Sequence, residues 1–172
     1  MDSLRIGTCS WNYPSWVGLV YSKKCARSSM YLNEYAQVFR TVEIDSWFYK
    51  LPNKNDVSDY LSRVDEDFTF SCKVTNAITL THHRSLGRGV KTLKVNEQFL
   101  SNDLFQAYID SILPMLPHIG VIMLEFEYLN VKKMPSLSTF IQCLDRFVNN
   151  IDPNIPLAIE TRNKNYLHKE YF

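Results

Sequence analysis

Hydrophobic and polar positions along the chain follow two alternating patterns, one typical of β-strands and the other typical of α-helices. Five short stretches rich in β-forming residues predict strands: residues 4–9, 41–46, 68–74, 119–126 and 156–161. Four stretches with apolar residues three or four positions apart predict helices: residues 29–39, 53–64, 97–116 and 136–148, with Pro114 expected to kink or end the third. Strand followed by helix, repeated along the chain, predicts an α/β fold with a parallel sheet and right-handed crossovers.

The predicted strands also carry charge in a regular position. In four of them an ionisable residue lies late in the strand, on the face opposite the large apolar side chains: Glu43, Lys73, Glu125 and Glu160. A charge within a covered sheet is costly unless it is paired or solvated, and ligands bind at the carboxyl ends of parallel strands. The four residues therefore predict the floor of one site. Internal ion pairs around Lys73, or strand-end charges in contact with water, are the alternatives.

Three carboxylates around one lysine allow two kinds of chemistry. Together with His82 they could bind a divalent metal, because oxygen and imidazole ligands suit magnesium, manganese or zinc. Without metal, Lys73 could act as an electrophile or as a base whose pKa is lowered by burial, with a glutamate as the acid. The spacing favours neither, and no HExxH motif is present.

Aromatic residues cluster directly after the first two predicted strands: Trp11, Tyr13, Trp16, Trp47, Phe48 and Tyr49. Such residues can stack on a ring or sugar above the carboxylates, or they can form a small satellite core. We favour the satellite core for Trp16 and Phe48, and ligand contacts for Trp11, Tyr13 and Tyr49.

Residues 75–95 form a polar stretch that we interpret as a long loop. It contains the histidine pair His82 and His83 and the basic residues Arg84, Arg88 and Lys91. The basic residues could bind an anion such as phosphate or carboxylate, although solvated loop charge is the simpler explanation.

Composition narrows the classes of protein. The chain has 172 residues, 45% of them hydrophobic, and a formal net charge of +1. This length suffices for the core of one domain, and the charge gives no electrostatic case for a nucleic-acid or membrane partner. No apolar run reaches the roughly 18–20 residues of a membrane span, and the N-terminus lacks a signal peptide's apolar core. We therefore expect a soluble, cytoplasmic chain.

Two further absences in the sequence limit its chemistry. The four cysteines form no CxxC motif, which favours structural thiols in a reducing compartment, buried at Cys9 and Cys72. The five glycines form neither GxGxxG nor GxxxxGK[ST], and no GxSxG motif occurs. This argues against nucleotide binding by the usual loops and against the usual serine-hydrolase elbow.

Four motifs together resemble a known family. They are Ile6-Gly7-Thr8-Cys9-Ser10-Trp11, then Thr41-Val42-Glu43-Ile44-Asp45-Ser46 with Phe48-Tyr49, then Phe68-Thr69-Phe70 with Lys73 and Thr81-His82, and finally Ala158-Ile159-Glu160 with Arg162-Asn163 and Tyr166-Leu167. In order and spacing they resemble the YecE-like family, domain of unknown function 72. The resemblance implies a TIM-type barrel without a securely assigned activity. It also implies site positions at Trp11, Glu43, Tyr49, Lys73, His82 and Glu160.

The chain departs from the family pattern in three ways. Asp45 stands where the family more usually has Asn, and Glu125 stands where Gln is expected. The chain, a single domain over residues 1–172, also ends where the family continues. A closed barrel takes about 250 residues, so about five of eight strand–helix units are expected here. The open edges of such a barrel would need a partner chain, self-association or a missing C-terminal segment.

The resulting functional prediction is an enzyme that acts on a small polar or anionic substrate by hydrolysis or isomerisation, with a divalent metal as one cofactor the donor set would suit. Glu43, Lys73 and Glu160 are the predicted catalytic residues. The predicted substrate-binding residues are Trp11, Tyr13, Tyr49, His82 and Glu125. A ligand-binding protein without turnover and an inactive truncated remnant are the alternatives.

Overall fold

A computed structural model describes residues 4–84 and 93–169. The strands in chain order are β1 (Thr41–Ile44), β2 (Thr69–Lys73), β3 (His82–Arg84), β4 (Leu93–Val95), β5 (Ile119–Phe126) and β6 (Leu157–Thr161). Four of them form a parallel sheet in the order β1-β2-β5-β6, while β3 and β4 form a separate antiparallel pair. The prediction of an α/β fold with a parallel sheet is therefore confirmed. Within the two described ranges β1 and β6 are the edges of this sheet, so closure into a barrel stays a prediction.

The helices are α1 (Tyr31–Val38), α2 (Lys54–Leu61), α3 (Asn76–Thr79), α4 (Asn102–Ile112) and α5 (Leu137–Val148). Four begin at a side-chain cap, for example Asn53 Oδ1, which accepts from the Asp56 amide at 2.9 Å. The third predicted helix is shorter than expected. It starts only after the Ser101 cap, and it ends at Ile112 because the prolines beyond turn the chain into a 3₁₀ segment, Leu113–His118.

The main hydrophobic core lies on one face of the parallel sheet. When successive parallel strands are added to a sheet in one direction and every crossover is right-handed, the crossover helices all lie on the same face of the sheet. Alternate residues of the strands are fully buried there, namely Val42, Ile44, Phe70, Cys72, Ile122, Leu124 and Phe126. The opposite face carries partly exposed residues such as Glu43, Ser71 and Met123. The polar face is therefore left available for a site.

The prediction of a strand at residues 4–9 is wrong. The segment is extended, and a backbone hydrogen bond joins the Glu43 amide to the Thr8 carbonyl at 2.9 Å, but no ladder forms. Its apolar side chains do not enter the core, since Ile6 is 69% exposed. For the same reason Cys9 is exposed rather than buried, whereas Cys72 is buried as predicted.

Gly7 determines how closely this segment approaches β1. A Cβ atom at Gly7 would lie 2.0 Å from the Thr41 carbonyl oxygen, which is backbone and cannot swing away. Gly120 in β5 offers a matched contrast, because its Cβ would meet nothing nearer than 3.8 Å.

We expect Gly7→Ala to detach residues 4–9 from β1 and to lower the free energy of unfolding by about 1–3 kcal/mol, the usual cost of overpacking. Gly120→Ala is the control and should change stability little. Thermal unfolding and hydrogen exchange of the Glu43 amide measure the two effects. Equal stabilities and equal exchange in the two variants would contradict the close approach.

Within residues 75–95, the described residues 75–84 and 93–95 contain more regular structure than the predicted loop. They include α3 and the β3–β4 ribbon, and Arg88 and Lys91 lie outside the described residues. Asn96 ties the ribbon down, because its amide donates to the Ala77 and Leu80 carbonyls and its oxygen lies 3.0 Å from His83 Nε2. Elements of three or four residues are too short to produce a readable hydrophobic period.

A membrane-spanning helix would have to be both long and apolar, and none of the helices in residues 4–84 and 93–169 meets that description.

Candidate functional site

Strand register brings the four predicted strand-end charges into one row. Glu43 is level with Ser71, Lys73 is level with Met123, and Glu125 is level with Glu160. Because side chains alternate along a strand, Lys73 shares a face with Glu43 on one side and Glu125 on the other. The pairing of β2 with β5 skips Gly120, which shifts the register by one residue. Because of this shift, Lys73 and Glu125 lie on the same face of the sheet. All four residues lie at or next to the carboxyl end of their strand.

Lys73 is the centre of the row. Its ammonium nitrogen lies 3.2 Å from Glu43 Oε1, 2.7 Å from Asp45 Oδ1 and 2.9 Å from Glu125 Oε2. The side chains of Lys73, Glu43 and Glu125 are 14%, 19% and 14% exposed, whereas that of Asp45 is 43% exposed. The predicted site residues on β1, β2 and β5 are therefore in direct contact.

Arg162 connects the fourth strand to this row. Its Nη2 lies 2.8 Å from Glu125 Oε1 and its Nε lies 2.9 Å from Glu160 Oε1. Glu160 thus reaches the cluster through Arg162 rather than through Lys73. Glu43, Asp45, Lys73, Glu125, Glu160 and Arg162 are called the strand-end cluster below.

Asp45 and Arg162 were not among the predicted site residues. A signal for them exists in the sequence, because each lies two positions after a predicted site glutamate. The alternation that selected Glu43 and Glu160 continues one step past each strand, to Asp45 and to Arg162.

One alternative from the sequence, in which Lys73 is a base whose pKa is lowered by burial, has the wrong direction of shift. Burial does disfavour the ammonium form, but the hydrogen bonds to Asp45 and Glu125 and the charge of Glu43 outweigh it. The pKa of Lys73 is therefore raised above its usual value. Lys73 is a fixed cation at neutral pH and cannot serve as a general base.

A buried asparagine holds the loops around the cluster. Asn163 is 1% exposed; its oxygen accepts from the Leu129 amide at 2.7 Å, and its nitrogen donates to the Leu129 carbonyl at 2.9 Å. The loop after β5 is thereby fastened to the end of β6. Arg162, the preceding residue, is held in the same place.

The aromatic residues separate into core and surface. Trp11 is buried, donates from Nε1 to the Ser28 carbonyl at 3.0 Å and packs edge-on against Tyr60. Trp16 contacts the rings of Tyr13, Tyr21 and Phe39, as expected for a satellite core.

Tyr13 and Tyr49 lie at the surface of the molecule. Tyr13 is half-buried; desolvation by burial, the Cys9 thiol and, more weakly, Tyr35 and Asp45 raise its pKa. Tyr49 is 72% exposed and stacks edge-on against Phe48.

His82 lies on the β3–β4 ribbon, where its Nδ1 is 3.0 Å from Thr81 Oγ1. The residues that the structure describes contain no group of three or more His, Cys, Asp or Glu side chains arranged to hold a metal ion. At the three carboxylates nearest one another, the Lys73 ammonium occupies the central position.

A cavity of about 210 Å³ adjoins Glu43. The N-terminal segment, β1 and β2 line it, through Gly7, Thr8, Cys9, Thr41, Val42, Glu43 and Ser71. A larger and more apolar cavity of about 420 Å³ lies between α2 and α4, on the helix side of the molecule and away from these charges. Of these two cavities, the smaller is the one lined by a member of the strand-end cluster, Glu43.

Comparison with known proteins places the chain among uncharacterised relatives. The family model described as "Protein of unknown function DUF72" matches residues 5–172. The UPF0759 proteins YecE of Escherichia coli K12 and O157:H7 are each 26% identical over 142 residues, which is 82% of this chain and 44% of those proteins.

Two solved structures share the fold. A DUF72 family protein from Enterococcus faecalis V583 has a TM-score of 0.64 at 20% identity, over 97% of this chain and 54% of that one. A DUF72 family protein from Thermotoga maritima MSB8 has a TM-score of 0.62 at 18% identity, over 97% of this chain and 58% of that one. The chain spans about half the length of the relatives that it matches.

Proposed function

The chain belongs to the DUF72 family of proteins of unknown function, and on this premise we propose that its strand-end cluster forms a small-molecule site with acid–base chemistry. The observation that carries the proposal is the convergence of Glu43, Asp45 and Glu125 on the Lys73 ammonium, at 2.7–3.2 Å, at the carboxyl ends of adjacent parallel strands. In parallel α/β folds this end of the sheet is where ligands bind.

The carboxylates of the cluster differ in how fully the protein pairs them. Among the described residues, ion pairs use both oxygens of Glu125, one to Lys73 and one to Arg162. They use a single oxygen of Glu43 and a single oxygen of Glu160. Asp45 likewise uses a single oxygen, Oδ1. Glu43, Asp45 and Glu160 are therefore the groups best able to exchange a proton with a ligand, and Glu125 is the fixed anion that aligns the two cations.

The reaction class that suits two such carboxylates is hydrolysis or isomerisation of a small polar substrate. One carboxylate accepts a proton from the substrate or from water, and a proton is returned to the product as the reaction is completed. Lys73 contributes charge that does not change during the reaction. Tyr13 and the cavity beside Glu43 would supply the walls of the site.

A non-catalytic binding role is the second candidate. The observation in its favour is that the ammonium of Lys73 is already engaged by three carboxylates, which leaves proton transfer to glutamates alone. A ligand retained without turnover would then be the biological state.

Glu43→Gln tests both roles, because it keeps the side-chain shape and removes one charge. We expect it to weaken ligand binding at least tenfold and to abolish any turnover, while Glu66→Gln, an exposed glutamate, changes neither. The measurements are NMR-detected binding and product formation across a panel of small polar metabolites. Binding without product in the unmodified protein favours the second candidate. Binding that is unaffected by Glu43→Gln contradicts both.

A further inference from the structure

The cations of the strand-end cluster are directed at protein carboxylates. An ammonium has three N–H donors, and Lys73 has one carboxylate within 3.2 Å for each of them. Arg162 directs its Nε and Nη2 at Glu160 and Glu125. The hydrogen-bonding capacity that the cluster still offers is therefore mostly that of acceptors, since each carboxylate has about four lone-pair sites.

The charge of the cluster points the same way. Four carboxylates, Glu43, Asp45, Glu125 and Glu160, face two cations, Lys73 and Arg162, so the formal balance is 4 − 2, a net charge of −2. The central part is shielded from water, with Glu43, Lys73 and Glu125 all less than 20% exposed. Electrostatic selection among ligands is stronger in such surroundings than at an open surface.

The adjoining cavity adds no compensating charge. Apart from Glu43, its lining consists of backbone, hydroxyl, thiol and apolar groups. Its volume of about 210 Å³ suits a ligand of a few heavy atoms that approaches Glu43 directly.

Resting on the function proposed above, we infer that the ligand of this site carries a positive charge, as an ammonium group with hydroxyl neighbours, and that the site rejects anions. An organic ammonium is favoured over a metal ion because the Lys73 nitrogen already occupies the centre of the carboxylates. The ammonium group of the ligand would contact the free oxygen of Glu43 from the adjoining cavity, while Glu160 would add negative charge at the other edge of the sheet. The inferred substrate is therefore a small polar molecule with a positive charge, and anionic substrates are excluded.

Four probes of similar small size separate the classes. They are 2-amino-1,3-propanediol, which is protonated at neutral pH, neutral glycerol, anionic glycerate, and magnesium chloride. Each is titrated at low ionic strength into ¹⁵N-labelled protein, and the amide shifts at the ends of β1, β2, β5 and β6 are followed. We expect the aminodiol to bind at least tenfold more tightly than glycerol, with glycerate weakest, and added salt should weaken the aminodiol selectively.

Glu160→Gln is the matched variant, because it removes one negative charge from the cluster and leaves the ion pairs of Lys73 in place. It should reduce the preference for the aminodiol over glycerol several-fold, while Glu66→Gln leaves the preference unchanged. Equal binding of aminodiol and glycerol, or tighter binding of glycerate or of magnesium, overturns the inference and leaves the site standing. Amide shifts that stay constant with all four probes overturn the proposed site itself.

Discussion

Replacing Lys73 by methionine is expected to lower the free energy of unfolding by about 3 kcal/mol. The substitution keeps the length of the side chain and removes the charge that holds Glu43, Asp45 and Glu125 together at 2.7–3.2 Å. Removing one partner of a buried ion pair costs about 3–5 kcal/mol, because the remaining charges stay desolvated and unpaired. The lower end of that range applies here, since Asp45 is 43% exposed and can turn to water.

Lys50→Met is the control for this measurement. Lys50 also pairs with a carboxylate, Asp56 at 3.0 Å, but its side chain is 58% exposed. Exposed pairs of this kind contribute about 0–1 kcal/mol. Urea unfolding at neutral pH compares the two variants, and equal losses of stability would contradict a shielded cluster around Lys73.

The pH dependence of the loss follows from the raised pKa of Lys73. A group whose pKa is higher in the folded than in the unfolded chain stabilises the fold fully below its unfolded pKa, about 10.4 for lysine. Its contribution is lost as the pH rises through the folded value. The difference in the free energy of unfolding between the unmodified protein and Lys73→Met should therefore be constant between pH 7 and about 10. Above about pH 10 this difference should shrink.

Asn163→Ala is expected to cost about 2–3 kcal/mol, because it leaves the Leu129 amide and carbonyl without their partner in a buried place. Asn163→Ala should destabilise the loop after β5 as well as the whole fold. Hydrogen exchange at Leu129 should increase before the sheet itself opens, because the loop after β5 is no longer fastened to the end of β6.

Asn55→Ala is the control, because Asn55 is an exposed asparagine on α2. It should leave both the stability and the exchange of Leu129 close to those of the unmodified protein. If Asn163→Ala behaves like Asn55→Ala, the two hydrogen bonds to Leu129 do not hold the loop.

The strand-end cluster was predictable in outline because it depends on short-range rules. Alternation along a strand selects Glu43, Lys73, Glu125 and Glu160, and parallel packing then brings strand ends to one edge of the sheet. The sequence alone does not give the partners. Arg162 binds Glu160, and three carboxylates share Lys73. The direction of the Lys73 pKa depends on those partners.

Other features could not be predicted because no periodic pattern in the sequence marks them. Asn96 and Asn163 are uncharged, and their role comes from backbone groups that tertiary structure brings within reach. The N-terminal segment has the composition of a strand, yet Leu4 and Ile6 have no buried surface to face. Propensity alone cannot reveal whether such a surface exists.

The charge state of Lys73 tests the strand-end cluster most directly. Its side-chain carbon resonances can be followed by NMR in protein labelled with ¹³C-lysine, and the Lys73→Met spectrum assigns them. The Lys73 resonances should stay at their ammonium position when the pH is raised past the usual lysine pKa of about 10.4. Titration of Lys73 at or below that usual pKa would contradict a cluster in which three carboxylates hold its ammonium.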